Sequence, residues 1–291
     1  MTSSAAAFQT QQPDCRNATA HRLGRYAVNS LHAELVLYPK PGLVSPGDDG
    51  AHLDMNAATF MKSLTALRHY FVKVAEAGGR AAPFSELRRL GIAAEARMLA
   101  ATDGVNTHRG AIFSLGLLAA AAGHACGDGH HATASTLRQA LGIWRRDLCA
   151  AAFPVGTDAS HGSWVAQAYG ASGARGEAKD GFPSVFECAL PALQDAIARG
   201  ADSRAARLHA LFVLLATVAD TNVLYRGGRE ALTSLQHGAA EFLAAGSVFA
   251  PGWSRSANAL HRRCCALRIS PGGCADLLCA TLFVHEVQSG P

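Results

Sequence analysis

The stretch Phe60-Met-Lys-Ser-Leu-Thr-Ala-Leu-Arg-His-Tyr-Phe-Val-Lys-Val74 places apolar side chains at Phe60, Leu64, Leu67, Phe71 and Val74. Steps of four and three put all five on one face of an α-helix, which must then be covered by something else. The same period returns on both sides. Leu87, Leu90, Ala94 and Met98 carry it after Pro83, with Ser85 expected as the cap, and Leu208, Leu211, Phe212, Leu215 and Val218 carry it again. No run of alternating β-branched residues bounded by turns interrupts the pattern, so a parallel sheet with crossover helices has little support. The expected fold is all-α: a single compact multi-helix domain over residues 21–291. Residues 1–20 are expected to form a frayed tail, because Met1 to Pro13 is rich in Ser, Ala, Thr and Gln and has no basic start.

Composition agrees with one large core. Of 291 residues, 49% are hydrophobic and 16% charged, enough apolar material to exclude disorder for most of the chain. The net charge of +4 is mild and the basic residues come at most in pairs, such as Arg88-Arg89, which argues against a nucleic-acid binder. The strong preference for Arg over Lys fits phosphate or carboxylate recognition, and equally fits GC-rich coding DNA. Eight Cys without any C-x-x-C pair make a zinc site unexpected and read as reduced, mostly buried thiols. The patch His124, Cys126, His130 and His131 is read as an exposed loop. The longest apolar runs, Ala111 to Gly123 and Ala210 to Ala219, fall short of the roughly 20 residues that span a bilayer and read as buried helices.

Gly and Pro collect between the helices, at Pro39–Gly50, Gly104–Gly110, Gly170–Gly181, Gly227-Gly228 and Pro271–Gly273. A site is expected there, built from inter-helix loops on a rigid helical frame. Pro39-Lys40-Pro41-Gly42 offers one Lys for a phosphate, with Gly42 permitting close approach. Asn106, Thr107, His108 and Arg109 open an apolar helix and resemble an anion cradle. Arg175, Gly176 and Glu177 lie among four glycines, and Asp220, Asn222 and Arg226 are read as parts of one loop. Neither the dinucleotide fingerprint nor a P-loop is present. The spacing Leu23, Ala27, Ser30, Glu34 puts a carboxylate on an otherwise apolar or small face, where it needs a partner, a metal or a proton. Glu95 and Asp220 stand in similar positions beside apolar stripes, and His52 and Asp54 leave a turn together. Taken singly, each of these has an ordinary structural explanation as a cap, a turn or a solvated charge.

Together they resemble a known family. The ordered set Pro39-Lys-Pro-Gly-Leu-Val44, Gly50-Ala-His52 with Asp54-Met55, Gly104-Val-Asn-Thr-His-Arg-Gly-Ala-Ile-Phe113, Tyr169-Gly170 with Gly173-Ala-Arg-Gly-Glu-Ala178, Gly181-Phe-Pro183, Asp220-Thr-Asn222, and Pro271-Gly-Gly273 with Asp276-Leu-Leu278 resembles the triphosphoribosyl-dephospho-coenzyme A synthases, from about residue 21 to the C-terminus. Two positions depart from the pattern: Ser45 stands where an Asp is common, which removes one candidate magnesium ligand, and Arg109 stands where Lys is frequent. The resemblance implies transfer of the triphosphoribosyl group of ATP to dephospho-coenzyme A with loss of adenine. The product would serve the acyl carrier protein of malonate decarboxylase or citrate lyase, with the Thr107-His108-Arg109 flavour leaning to the malonate system.

On that basis Glu34, Glu177, Asp220 and His52 are expected to be catalytic. Lys40, Gly42, Asn106, Thr107, His108, Arg109, Arg175, Gly176, Asn222 and Arg226 are expected to bind the two substrates. Glu34, Asp54, Glu95 and Asp220 are candidate ligands for Mg2+ carried with ATP. His108 is also a candidate for protonating adenine. The implied protein is cytoplasmic, with neither nucleic acid nor membrane as partner, and a homodimer is left open. Two other readings stand beside it: an ATP-dependent nucleotidyltransferase on the same frame, and a non-catalytic helical accessory protein of the same pathway.

Overall fold

The stripe of residues 60–74 does face a core. In the computed structural model, which describes residues 4–126, 132–150 and 161–290 with side chains from Asn17 onward and, in the last segment, from Trp164, Leu64, Leu67, Phe71 and Val74 are buried and Phe60 is partly covered. His130 and His131 lie outside the described residues. The helices in chain order are α1 (Ser4–Leu35), α2 (Ala57–Gly79), α3 (Phe84–Ala101), α4 (Arg109–Ala125), α5 (Ala134–Leu141), α6 (Arg145–Cys149), α7 (His161–Tyr169) and α8 (Gly173–Lys179). A π-helical turn, Ser184–Ala189, then runs into α9 (Leu190–Ala198), followed by α10 (Ser203–Thr217), α11 (Thr221–Ala244), α12 (Trp253–Ala266) and α13 (Gly272–Ser289). Among the described residues the only β pairing is the isolated bridge between Ser45 and Asp48, so the all-α expectation holds.

Two helices form the centre. In α4, Ala111 to Gly123 is buried except for the partly covered Phe113, and in α13 the run Leu277 to Val284 is buried throughout. α13 packs on α1, α4 and α10, while α2 packs on α1, α3 and α4. The contact between α2 and α4 is backbone to backbone. A Cβ on Gly78 would lie 1.9 Å from the Ala120 carbonyl oxygen, and one on Gly123 would lie 2.0 Å from that of Ala75. Among the described residues no single helix is long and apolar enough to cross a membrane.

Local structure departs from the sequence reading in several places. α3 is capped by the extended backbone of Pro83, with Ser85 already inside the helix. Residues 170–181 are a turn, the short helix α8 and a second turn, so Arg175 and Gly176 are helical. Gly227-Gly228 is no loop but a break inside α11, where Gly228 takes φ 69° and ψ −165°. Asp220, Asn222 and Arg226 therefore lie along the start of one helix. The consequence for function is geometric: the C-terminal end of α1 and the N-terminal ends of α4, α11 and α13 are brought together.

Candidate active site

Glu34 sits in the last turn of α1, on the face formed with Leu23, Ala27 and Ser30, all buried as the spacing requires. Its partner comes from the loop that follows. Lys40 Nζ donates to Glu34 Oε1 at 2.6 Å and to the Glu34 carbonyl at 2.7 Å, and the lysine is only 1% exposed. A buried ion pair of this kind is tolerated because each charge answers the other. The ammonium retains a third donor.

The loop around Lys40 is held from outside. Gly42 takes φ 69°, and a Cβ there would lie 2.0 Å from the Ile269 carbonyl oxygen, so its glycine serves close packing against that segment. His261 on α12, 1% exposed, places Nδ1 2.6 Å from the Lys40 carbonyl and Nε2 2.9 Å from Asp48 Oδ2. Cys265 Sγ lies 3.5 Å from the same Nε2. Among the described residues, Asp48, His261 and Cys265 are the only trio of potential metal ligands within 4.8 Å of one another. No sequence spacing links residue 48 to 261, so this brace was invisible beforehand.

Asp220 joins two helices. Its Oδ1 accepts the N–H groups of Asn222 (2.8 Å) and Val223 (3.2 Å), capping α11, while Oδ2 accepts the N–H of Cys274 (2.8 Å) in the first turn of α13. Gly273 leaves room for this, since a Cβ would come within 3.0 Å of Oδ2. Burial raises the affinity of Asp220 for a proton and the three N–H bonds oppose that.

Asp276, two residues beyond Cys274, was quoted in a motif but given no role. Its carboxylate accepts the N–H of Ala111 at the start of α4, and Gly110 makes the approach feasible, because a Cβ would lie 1.9 Å from Asp276 Oδ2. Burial first, then the charges of Asp220 and Glu34, push its carboxyl well above the usual carboxylate range. The signal that might have found it is an acid set before an unbroken apolar run, Leu277 onward. Glu34 and Asp220 thus both act electrostatically on Asp276; Asp220 and Asp276 stand at helix N-termini, whose dipoles favour negative charge, while Glu34 at the C-terminal end of α1 relies on Lys40 instead.

Other expected residues gather around this centre. His108, the N-cap residue of α4, is buried, bonds Ser63 Oγ through Nδ1 at 2.7 Å and meets the Phe60 ring at 5.0 Å. Burial, and then Lys40, lower its pKa to about 3, so its imidazole is neutral and can offer an N–H but not a positive charge. Glu177 faces the neighbourhood of Cys274, yet its oxygens accept the N–H (3.2 Å) and hydroxyl (2.5 Å) of Ser184. Burial raises its proton affinity against those bonds. His52 Nδ1 lies 3.3 Å from Arg226 Nη2 and Nε2 lies 2.8 Å from Ser270 Oγ. A guanidinium can only donate, so Nδ1 accepts and Nε2–H donates to the serine. Burial and the Arg226 charge keep that ring neutral as well.

The remaining expected residues are engaged locally or lie at the surface. Glu95 is engaged by Arg109, Nε to Oε2 at 3.1 Å, and Asp54 is exposed beside His52, 3.5 Å from Nδ1. Asn106 Oδ1 accepts the backbone N–H of Arg109 (3.2 Å), and Thr107 has a buried hydroxyl without a hydrogen-bond partner. Arg175 is exposed on α8, whose first residue, Gly173, approaches Thr221. Gly176 packs over Ser172, and Asn222 lies against Gly272.

A loop-borne lysine paired with Glu34, and two further acids at helix starts, make this the candidate active site. The chain belongs to the ATP:dephospho-CoA triphosphoribosyl transferase (CitG) family, whose model matches residues 20–290. It is therefore an enzyme of the triphosphoribosyl-dephospho-CoA synthase kind. A relative from Pseudomonas syringae pv. tomato, named "Probable 2-(5''-triphosphoribosyl)-3'-dephosphocoenzyme-A synthase", is 41% identical over 96% of this chain and 95% of its own. Relatives of the same name from Pectobacterium carotovorum (40%, covering 94% and 89%) and Acinetobacter calcoaceticus (37%, covering 92% of each) are similar over comparable lengths. No solved structure matches.

Proposed function

We propose that the enzyme moves the 5-triphosphoribosyl group of ATP onto the 2'-hydroxyl of 3'-dephospho-coenzyme A and releases adenine. The observation that carries this reading is that Asp276 feels both Asp220 and Glu34, the latter paired with Lys40. Displacement at the anomeric carbon builds positive charge on the sugar ring, which a carboxylate stabilises. It also requires one group to accept the hydroxyl proton and another to give a proton to departing adenine. Glu34, paired with an ammonium, suits the role of base, and Asp276, held toward its protonated form, suits the role of acid. The family resemblance implies an α-linked product; made from a β-nucleoside it needs inversion, hence one direct displacement without a covalent sugar intermediate.

The phosphates need cations. Lys40 and His108 would contact them from inside and Arg109, Arg175 and Arg226 from the rim. The Glu34 carboxylate offers Mg2+ a hard oxygen, while Asp220 has three of its lone-pair positions already bonded to N–H groups. The three acids do not lie within 4.8 Å of one another, so phosphate oxygens and water would have to supply most of the ion's ligands. Magnesium, when bound, supplies neutralisation of the triphosphate. In the cell the product would furnish the carrier-protein prosthetic group of malonate decarboxylase, in preference to citrate lyase, in the cytoplasm.

Chromatography of spent nucleotide after incubation with ATP, magnesium and dephospho-coenzyme A tests the reading. Free adenine and a conjugate of unchanged triphosphate content are expected. AMP transfer with pyrophosphate release would mark a nucleotidyltransferase, and untouched ATP an accessory protein.

A further inference from the structure

We propose that Trp164, Tyr169 and Tyr225 form a platform on which the adenine ring of a substrate stacks. This rests on the proposed reaction, whose two substrates both carry adenine.

Trp164 and Tyr169 come from α7 and Tyr225 from α11. The Trp164 ring centroid lies 5.8 Å from that of Tyr169, at 75°, and 5.8 Å from that of Tyr225, at 88°. Rings at right angles make a corner, and surface is left open: Trp164 is 47% exposed and Tyr225 is 44% exposed. Leaving so much aromatic surface in water forfeits the stabilisation its burial would give, unless a ligand covers it. Arg229 adds a cation 5.5 Å from the Tyr169 centroid, which suits an electron-rich base with a phosphate nearby. If these rings served only to fasten α7 to α11, covering them would be the better solution.

Position favours the same reading. Tyr225 lies five residues after Asp220, the cap of α11, which is about 7 Å along the axis at roughly 1.5 Å per residue. Its neighbour Arg226 reaches His52. Tyr225 and the cap of α11 thus lie within about two turns of one helix. The break at Gly228 belongs to the same corner, since a Cβ there would lie 3.6 Å from the Tyr169 hydroxyl.

The test uses tryptophan fluorescence and steady-state kinetics on the whole protein. AMP or dephospho-coenzyme A should quench wild-type emission and inorganic tripolyphosphate should not, while Trp164→Leu, which keeps apolar bulk without a ring, should lose the quench. In turnover, Trp164→Leu should raise KM about tenfold for at least one substrate, the size of one base-to-aromatic stack, and Trp164→Phe should restore it at an unchanged Tm. A rise confined to ATP assigns the platform to the donor's base, and one confined to dephospho-coenzyme A to the acceptor's. Unchanged KM for both substrates in Trp164→Leu and in Tyr225→Leu, or a quench that tripolyphosphate reproduces, overturns the proposal. Quenching needs no turnover, so the platform can fail in an enzyme that releases adenine and can stand in one that makes another product.

Discussion

Lys40 shows how much rests on single charges here. Its ammonium and the Glu34 carboxylate are both buried, so removing either strands the other. Lys40→Met is expected to cost about 3–5 kcal/mol in urea unfolding, and the double variant with Glu34→Leu to recover part of it. A loss below about 1 kcal/mol in the single variant would show that the pair is hydrated instead. His108 makes a pH-dependent prediction. A histidine whose pKa is lowered in the folded state, from 6.5 to about 3, adds stability that is present above 6.5 and lost as pH falls toward 3. Relative to His108→Asn, the wild type should therefore lose about 2 kcal/mol between pH 7 and pH 5, at roughly 1.4 kcal/mol per pH unit. Parallel stability curves for the two proteins would contradict the burial described for that imidazole. Asp276 has the opposite sign. Its raised carboxyl adds stability below the ordinary carboxylate pKa that is lost as pH rises through the folded value, so Asp276→Asn should gain in Tm over wild type more at pH 8 than at pH 5.

At the scale of elements, the helices are tied by contacts of very different kinds. Asp220 supplies caps to α11 and α13 with one carboxylate, and Asp220→Ala should cost about 3 kcal/mol, more than Asp220→Asn, which keeps an acceptor. Equal losses in calorimetry would mean that the caps contribute little. Gly78 works by absence: Gly78→Ala must part α2 from α4, since the methyl would meet the Ala120 carbonyl, and a cost of about 1–3 kcal/mol is expected. Helix faces such as Leu64, Leu67, Phe71 and Val74 were readable because period alone determines them. The buried line ending in Glu34 was readable for the same reason. The break at Gly228 was not, because two glycines in a row signal a turn equally well with or without helix on both sides. The hidden helix α8 is the same ambiguity in reverse, a Gly-rich run that nonetheless closes helical hydrogen bonds.

For the molecule as a whole, the candidate site could be listed from the chain but not assembled from it. Lys40 pairs with Glu34 and acts on His108, while Asp220 acts on Asp276, yet nothing local in the sequence distinguishes these residues from Glu95, whose charge goes to Arg109, or from Asp54, which is exposed. Asp276 and the His261–Asp48 brace depend on contacts between distant segments, which no spacing in the sequence encodes. Glu34, Asp276 and Lys40 are the proposed reacting centre. Single-turnover release of adenine from ATP in the presence of dephospho-coenzyme A tests it most directly, in Glu34→Gln, Asp276→Asn and Lys40→Met, each first shown to be folded at the assay temperature. Each variant is expected to slow release by about 100-fold or more, the usual effect of losing one acid, base or electrostatic contact. Wild-type rates in all three would contradict the account and move the chemistry to another part of the molecule.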